Sequence, residues 1–374
     1  MPPRTAPRRR PLESARTIAG RAGRRKGRGP RRRAPGRHNA RVSRTLHPQQ
    51  ALFEGERAVP VIAAVDHYAG AERFVTKALE LQAARGPLFD VTLDLEDGAP
   101  AGHEREHAEL VVELLRGPLN RFDAVGVRVH DAGHPHWRRD IDAVVRGAGR
   151  RVAHITLPKA VSARQVAEML AYLQHACAEA GLKRAIPVHV LIETHGALQD
   201  VFRIAALPWL RTLEFGLMDF VSAHQGAIPA SAMRSPGQFE HALVRRAKVE
   251  IAAAALAHGL VPVHNVTIDL DAPGAARADG LRARRELGFL RMWSIHPAQI
   301  DELLAAFAPS VDDMALAADI LLAGHAQRWA PIRHAGTLHD RASYRYHWQV
   351  LQRARRAGHP LPAAAEAAFF ATAR

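Results

Sequence analysis

From about residue 58 onward, short apolar runs alternate with longer stretches whose apolar positions recur every three or four residues. The runs are VPVIAAVD (59–66), FDVTLDLED (89–97), AVGVRVH (124–130), HITLPK (154–159), PVHVLIE (187–193), TLEFGLMD (212–219), LVPVHNVTID (260–269) and FLRMWSIHP (289–297). Each leads into a segment of helical period, such as AERFVTKALELQAA, HEREHAELVVELL and SARQVAEMLAYLQHACAEA, where Ser162 is placed to cap the helix. Strands that read apolar on both faces and alternate with helices predict a parallel sheet. Eight such units over roughly 250 residues match a closed (β/α)8 TIM barrel of the α/β class. An open doubly wound sheet is the alternative, but no Gly-rich fingerprint follows the first strand.

After Pro309 the pattern changes: VDDMALAADILLAGHAQRW reads as a helix, followed by a polar stretch and AAAEAAFFATAR. The predicted organisation is therefore a tail over 1–45, a barrel over 46–309 and a C-terminal helical extension over 310–374.

Charge sharpens the first boundary. The 374-residue chain has a formal charge of +15, which by itself suggests a nucleic-acid or membrane partner. Residues 1–45 hold 16 of the 52 basic and one of the 37 acidic residues, so the rest of the chain carries 36 of each and is neutral. The tail is rich in Arg, Pro and Gly and nearly free of apolar residues, so it is expected to be disordered. Three readings compete for it: translation from an upstream start in a GC-rich genome, an arm that binds nucleic acid or another polyanion, and a cleaved targeting peptide. No apolar stretch is long enough to span a membrane. The single cysteine, Cys177, excludes intrachain disulfides and cysteine-based zinc clusters, and a reducing, cytoplasmic setting follows by default.

Barrel enzymes place their chemistry at the carboxyl ends of the strands. Here those ends carry Asp66 and His67, Glu96 and Asp97, Arg128 and His130, Lys159, Glu193, Asp219, Asp269 and His296. Glu193 and Asp219 end consecutive strands, and two carboxylates facing one cavity repel unless a cation or proton lies between them. Oxygen ligands with open positions for water and substrate suit Mg2+ or Mn2+. The alternative for each is a helix cap or an ion pair. Arg128 offers a fork for a substrate carboxylate, or a salt bridge to Glu96 or Asp97 on the adjacent strand. In DLED (94–97), Asp94 and Glu96 share a strand face, while Glu96 and Asp97 are placed to bond metal-bound water or to line a solvated rim. Lys159 is a candidate anion contact or Schiff-base nucleophile.

The segments FDVTLDLEDGAP, VGVRVH, ITLPK, VLIETHGAL, FGLMDF and MWSIHPAQI, in this order over roughly 60–305, resemble the HpcH/HpaI aldolase and citrate lyase β-subunit family. The resemblance implies a TIM barrel and a Mg2+-dependent carbon–carbon lyase acting on 3-hydroxyacyl thioesters of CoA or on 2-oxo acids. By motif, Glu193 and Asp219 look like the metal ligands and Arg128 like the substrate-binding arginine. The chain departs from the family where VIAAVDHYAG replaces a VPG-like first turn, where Met218 precedes Asp219 in place of the frequent Glu, and where Arg128-Val129-His130 replaces Arg-Ile-Asn. IHPAQI points to the citrate lyase-like branch.

The expected function is cleavage or formation of a C–C bond next to a carbonyl, in a malyl- or citramalyl-CoA-like ester or a 4-hydroxy-2-oxo acid. In this reading Glu193 and Asp219 hold the metal, while Arg128, Glu193 and Lys159 meet the substrate. Arg128 steadies an enolate, and Glu96, Asp97 or a carboxylate from a neighbouring subunit takes the proton. The partners expected are a small oxyacid or its CoA thioester and further copies of the chain in a homo-oligomer. The rival functions are an acyl-CoA thioesterase on the same scaffold and a non-catalytic polyanion binder acting through the tail.

Overall fold

The computed structural model describes residues 46–56, 58–99 and 101–371 of the chain. The Arg-rich tail, and the polyanion reading attached to it, lie outside the described residues.

Eight strands, β1 (Val65–Ala69), β2 (Asp90–Asp94), β3 (Val125–Arg128), β4 (Val152–Leu157), β5 (Val188–Ile192), β6 (Leu210–Phe215), β7 (Val261–His264) and β8 (Arg291–Ser294), close into a parallel barrel in chain order. β1 pairs with both β2 and β8, so no edge is left open. Helices follow the strands as the apolar period predicts. Ser162 accepts the N–H of Gln165 at 3.2 Å and caps the helix Ala163–Glu179. Thr194, directly after Glu193, caps the short helix His195–Gln199 by accepting from Ala197. Among the described residues no helix is long and apolar enough to cross a membrane.

Two features of the strands differ from the sequence reading. The first strand lies later than the run 59–66. Pro60 lacks an N–H for a ladder, and pairing begins only where Val65 meets Met292. Asp66 therefore sits inside the barrel, and Tyr68 lies nearer the strand's carboxyl end.

The strands are also not apolar on both faces. Outward positions such as Val91, Leu93, Val127, Ile155, Val190 and Leu213 are fully buried beneath the helices. The interior instead holds buried Asp66, Thr92, His154, His189, Glu214 and Arg291. Some of their contacts join neighbouring strands, and others, such as Arg291 to Asp90 and Thr92 to His154, join strands that are not adjacent, which is possible only across the barrel interior. Arg291 reaches Asp66 and Asp90, each at 2.5 Å. Thr92 donates to Asp66 at 2.9 Å, the rings of His154 and His189 stack with centroids 3.8 Å apart, and His189 Nδ1 lies 3.0 Å from Glu214. Gly126 makes room for this arrangement, because a Cβ there would fall on the His154 ring. Buried charge is tolerated when it is paired, and these groups supply one another's partners.

Beyond the barrel, the helices Val311–Ala326 and Arg341–Arg356 pack together, joined through a two-stranded hairpin, β9 (Ile332–His334) and β10 (Thr337–His339). Its turn residues Ala335 and Gly336 have φ of 46° and 82°, as a two-residue hairpin turn requires. The sequence reading had only a polar stretch here, since three-residue strands show too little alternation to register. Tyr344, Trp348, Leu351 and Phe369 form a core with Leu52. The helix Pro48–Leu52 thus packs on the extension, where Trp348 Nε1 donates to Gln49 at 3.0 Å and Arg345 Nε donates to the Leu52 carbonyl at 2.7 Å. Barrel and extension lie within one compact unit.

Candidate active site

At the carboxyl ends of β2 and β3, Asp94 and Arg128 are direct partners in the strand register. Arg128 Nε donates to Asp94 Oδ1 at 2.6 Å and Nη2 donates to Oδ2 at 2.8 Å, a fork-to-fork pair. Burial alone would raise the Asp94 carboxyl, but the hydrogen bonds from Arg128 hold it below the ordinary range. Burial likewise opposes the Arg128 charge, and Asp94 outweighs it and pushes the guanidinium well up.

Tyr68 from β1 completes this corner. Its hydroxyl accepts from Arg128 Nη2 at 2.6 Å and donates to Asp94. Its ring stacks on Trp293 of β8, with centroids 5.4 Å apart. Burial, then the Asp94 charge, raises the phenol far above its usual value, so it stays protonated. Gly98, in the motif LDLEDGAP, closes over this corner: its N–H donates to Asp94 at 2.5 Å, and a Cβ would strike both Tyr68 and Asp94.

Glu96 lies between two cations, 3.2 Å from Arg128 Nη2 and 2.5 Å from Lys159 Nζ, and neither contact is aligned as a hydrogen bond. Asp97 is held by Lys159 Nζ at 2.8 and 3.0 Å and makes no contact with Arg128. The expected salt bridge of Arg128 is therefore made first to Asp94, then to Glu96. The Lys159 ammonium is raised above its usual range: burial opposes this, and Asp97 and Glu96 outweigh it. A lysine so firmly protonated is poorly suited to Schiff-base nucleophilic attack and well suited to holding an anion.

Glu193 follows β5 and is buried. Its Oε1 accepts the backbone N–H of Lys159 at 2.6 Å, and Lys159 reaches that position through a left-handed backbone, φ 45°. Burial, then the nearby Asp219 charge, pushes the Glu193 carboxyl up to about 7. Asp219 does not end a strand. It lies in the first turn of the helix Leu217–Ala223, two residues after Gly216 and Leu217 carry the chain off β6. Gly216 is the space that Glu193 occupies, since a Cβ there would overlap its carboxylate. A buried carboxylate and a second one beside it, with no arginine or lysine side chain bonded to either among the described residues, is a donor set that fits a hard divalent cation.

The remaining strand-end residues are engaged elsewhere. His67 bonds Ser294 at 2.7 Å, and His130 is tied to Asp140 at 2.7 Å. His296 caps the helix Pro297–Phe307, and Asp269 pairs with Arg234 at 3.2 Å. Among the described residues, the histidine- and acid-containing group close enough to hold a metal is Asp66, His154 and His189, with ligand atoms within 4.8 Å. It is a different place from the Glu193–Asp219 pair, and Arg291 already neutralises its only carboxylate.

Asp94, Tyr68 and Trp293 were not among the predicted site residues. Asp94 could have been found from the two-residue period of DLED, which puts it on the Glu96 face. Tyr68 was hidden by the early placement of the first strand.

Residues 81–297 match the protein family described as HpcH/HpaI aldolase/citrate lyase. The L-malyl-CoA/beta-methylmalyl-CoA lyase of Rhodobacter capsulatus is 28% identical over 242 residues, which cover 62% of this chain and 76% of that protein. A solved citrate lyase from Burkholderia xenovorans LB400 is 52% identical, spans 86% of this chain and 98% of its own, and superposes with a TM-score of 0.76. CitE of Mycobacterium tuberculosis, solved with magnesium, acetoacetate and coenzyme A, is 24% identical over 80% of this chain and 99% of its own, with a TM-score of 0.60, and shares the fold. The chain belongs to the HpcH/HpaI aldolase/citrate lyase family, and it is a carbon–carbon lyase.

Proposed function

We propose that the chain is a Mg2+-dependent lyase that cleaves or forms the C–C bond of a malyl- or citramalyl-CoA-like thioester, with a 4-hydroxy-2-oxo acid as the alternative substrate. The observation that carries this reading is the buried Glu193 carboxylate, with Asp219 beside it and no basic side chain bonded to either. The relative that acts on malyl-CoA supports a thioester substrate. Mn2+ fits the same oxygen donors.

Glu193 and Asp219 would hold the ion, which would supply Lewis-acid polarisation of the oxyacid's oxygens. Arg128, fixed by Asp94 and Tyr68, keeps Nη1 without a hydrogen-bond partner among the described residues, so that donor is available to a carboxylate or a developing enolate oxygen. Lys159, between Glu96 and Asp97, adds positive charge where the substrate's anionic end would lie. In the cleavage direction the substrate hydroxyl gives its proton to a base, with Glu96 or Asp97 the candidate carboxylates of this chain. The hydroxyl-bearing carbon becomes a carbonyl, and the electrons of the broken C–C bond pass into the enolate of the other fragment, which is then protonated. Assembly as a homo-oligomer and a cytoplasmic setting belong to the same reading, and a partner's carboxylate is the alternative base.

The test is turnover of malyl-CoA, citramalyl-CoA and 4-hydroxy-2-oxo acids with Mg2+ or with EDTA. Two carbon fragments released only with metal are expected. Free CoA with an intact hydroxyacid would identify a thioesterase, and undiminished cleavage in EDTA would overturn the metal assignment.

A further inference from the structure

We propose that the cavity between the barrel flank and the C-terminal extension, centred on Arg284 and Arg353, binds an organic phosphate. The cavity has a volume of about 890 Å3, within the range of small-molecule sites. It lies away from the catalytic end: Phe289 and Leu290, in its wall, directly precede β8 at the amino ends of the strands.

Its charge is one-sided. Four arginines, Arg277, Arg284, Arg285 and Arg353, line it, against a single carboxylate, Asp313. Asp313 is already used: it closes a capping box with Ser310 at the start of the helix Val311–Ala326. The Arg353 side chain makes no hydrogen bond and no ion pair with any described residue, although its guanidinium is largely enclosed. Burial, then the neighbouring Arg284 charge, lowers it to about 10. Arg284 spends Nη1 on the carbonyls of Ala306 and Ala308, at 3.2 and 2.7 Å, which leaves the rest of its fork uncommitted. A largely enclosed Arg353 guanidinium without a paired carboxylate, with the Arg284 charge beside it, is an arrangement that an anion with several acceptor oxygens relieves, and the planar fork matches phosphate oxygens in pairs.

The apolar part of the wall points to an organic rather than a bare anion. Phe289, Phe307, Met314 and Val350 line the same cavity as the arginines, and Tyr346 adds an exposed ring. A phosphate with a ring or short chain attached would meet both. Because Arg284 belongs to a barrel helix and Arg353 to the extension, such a ligand would bridge the two and resist their separation.

The experiment uses the full chain and titrates ADP, inorganic pyrophosphate and citrate by calorimetry and by thermal unfolding. ADP and pyrophosphate are expected to bind and raise the unfolding temperature, ADP more tightly, with citrate at least tenfold weaker. Arg353→Met should weaken ADP at least tenfold and leave lyase turnover unchanged, and Arg353→Lys should keep part of the affinity if the fold is intact by circular dichroism. Equal affinity in Arg353→Met, or citrate binding as tightly as ADP, would overturn the proposal. So would an oligomer that dissociates in Arg353→Met, since the arginines would then face a partner's carboxylates.

Discussion

Arg128 and Asp94 face each other across the β2–β3 register and share two hydrogen bonds of 2.6 and 2.8 Å, so the orientation of the guanidinium is set by the neighbouring strand. Lysine cannot reproduce that fork. Arg128→Lys should lower kcat/KM by about 100-fold or more with the fold retained, the scale seen when one preorganised donor is removed. Asp94→Ala leaves Arg128 with less buried counter-charge and should cost about 3–5 kcal/mol in urea unfolding. An active Arg128→Lys enzyme would remove Arg128 from the chemistry.

Glu193 and Asp219 should respond to metal together. Mg2+ is expected to raise the unfolding free energy of the native chain, by about 2.7 kcal/mol at a hundred times its Kd. The double variant Glu193→Gln, Asp219→Asn should show no such rise and no turnover. Gly216→Ala is the sharper probe, because it touches neither ligand's chemistry and only drives a methyl into the Glu193 carboxylate. It should remove the Mg2+ response while circular dichroism stays native; a normal response would show that the Glu193 position is not critical.

Tyr68→Phe deletes the hydroxyl that links Arg128 and Asp94 and keeps the ring stacked on Trp293. A loss of about 2–4 kcal/mol in stability is expected, since the deleted hydroxyl makes two hydrogen bonds to buried charged partners. kcat/KM should fall about tenfold, corresponding to 1.4 kcal/mol of transition-state stabilisation. Unchanged kinetics would mean that Asp94 alone positions the arginine.

Acid should weaken the fold through its buried histidines. Burial pushes His154 down to about 3 and His67 down to about 4, so both stay neutral in the folded chain. In the unfolded chain each takes up a proton near pH 6.5. The histidine contribution to stability is therefore complete above about 6.5 and falls as the pH drops toward 4, by about 1.4 kcal/mol per pH unit for each histidine, while Glu193, pushed up to about 7, acts in the opposite direction. Urea midpoints between pH 7 and 4.5 measure the slope, and His67→Gln should make it shallower. An identical slope in that variant would remove His67 from the account.

The barrel was legible because its outer face is apolar with a strict period, and because eight such runs leave few other topologies. The candidate site was legible where a charge interrupts an apolar run, as at Glu193, Lys159 and Arg128. What the chain concealed were residues whose role depends on a partner distant in sequence. Asp94 reads as one acid among three until β3 brings Arg128 opposite it. Asp66, His154 and Arg291 look unremarkable until the barrel closes and joins strands one, four and eight. The hairpin β9–β10 was missed because its strands are shorter than one alternation can reveal.

The charged interior also constrains how this barrel can change over generations. Asp66, Arg291, Asp90 and their histidine and glutamate neighbours form one coupled set spread over six strands. Replacing the whole set with apolar residues can be neutral or better, yet breaking one pair costs about 3–5 kcal/mol. That is a large part of the roughly 5–15 kcal/mol a domain has in total. Drift toward an oily interior would have to cross that valley one codon at a time. Inherited sequences are thus expected to keep the set or to exchange its members in concert, so that paired changes at positions 66 and 291 mark lineages more sharply than changes on the surface.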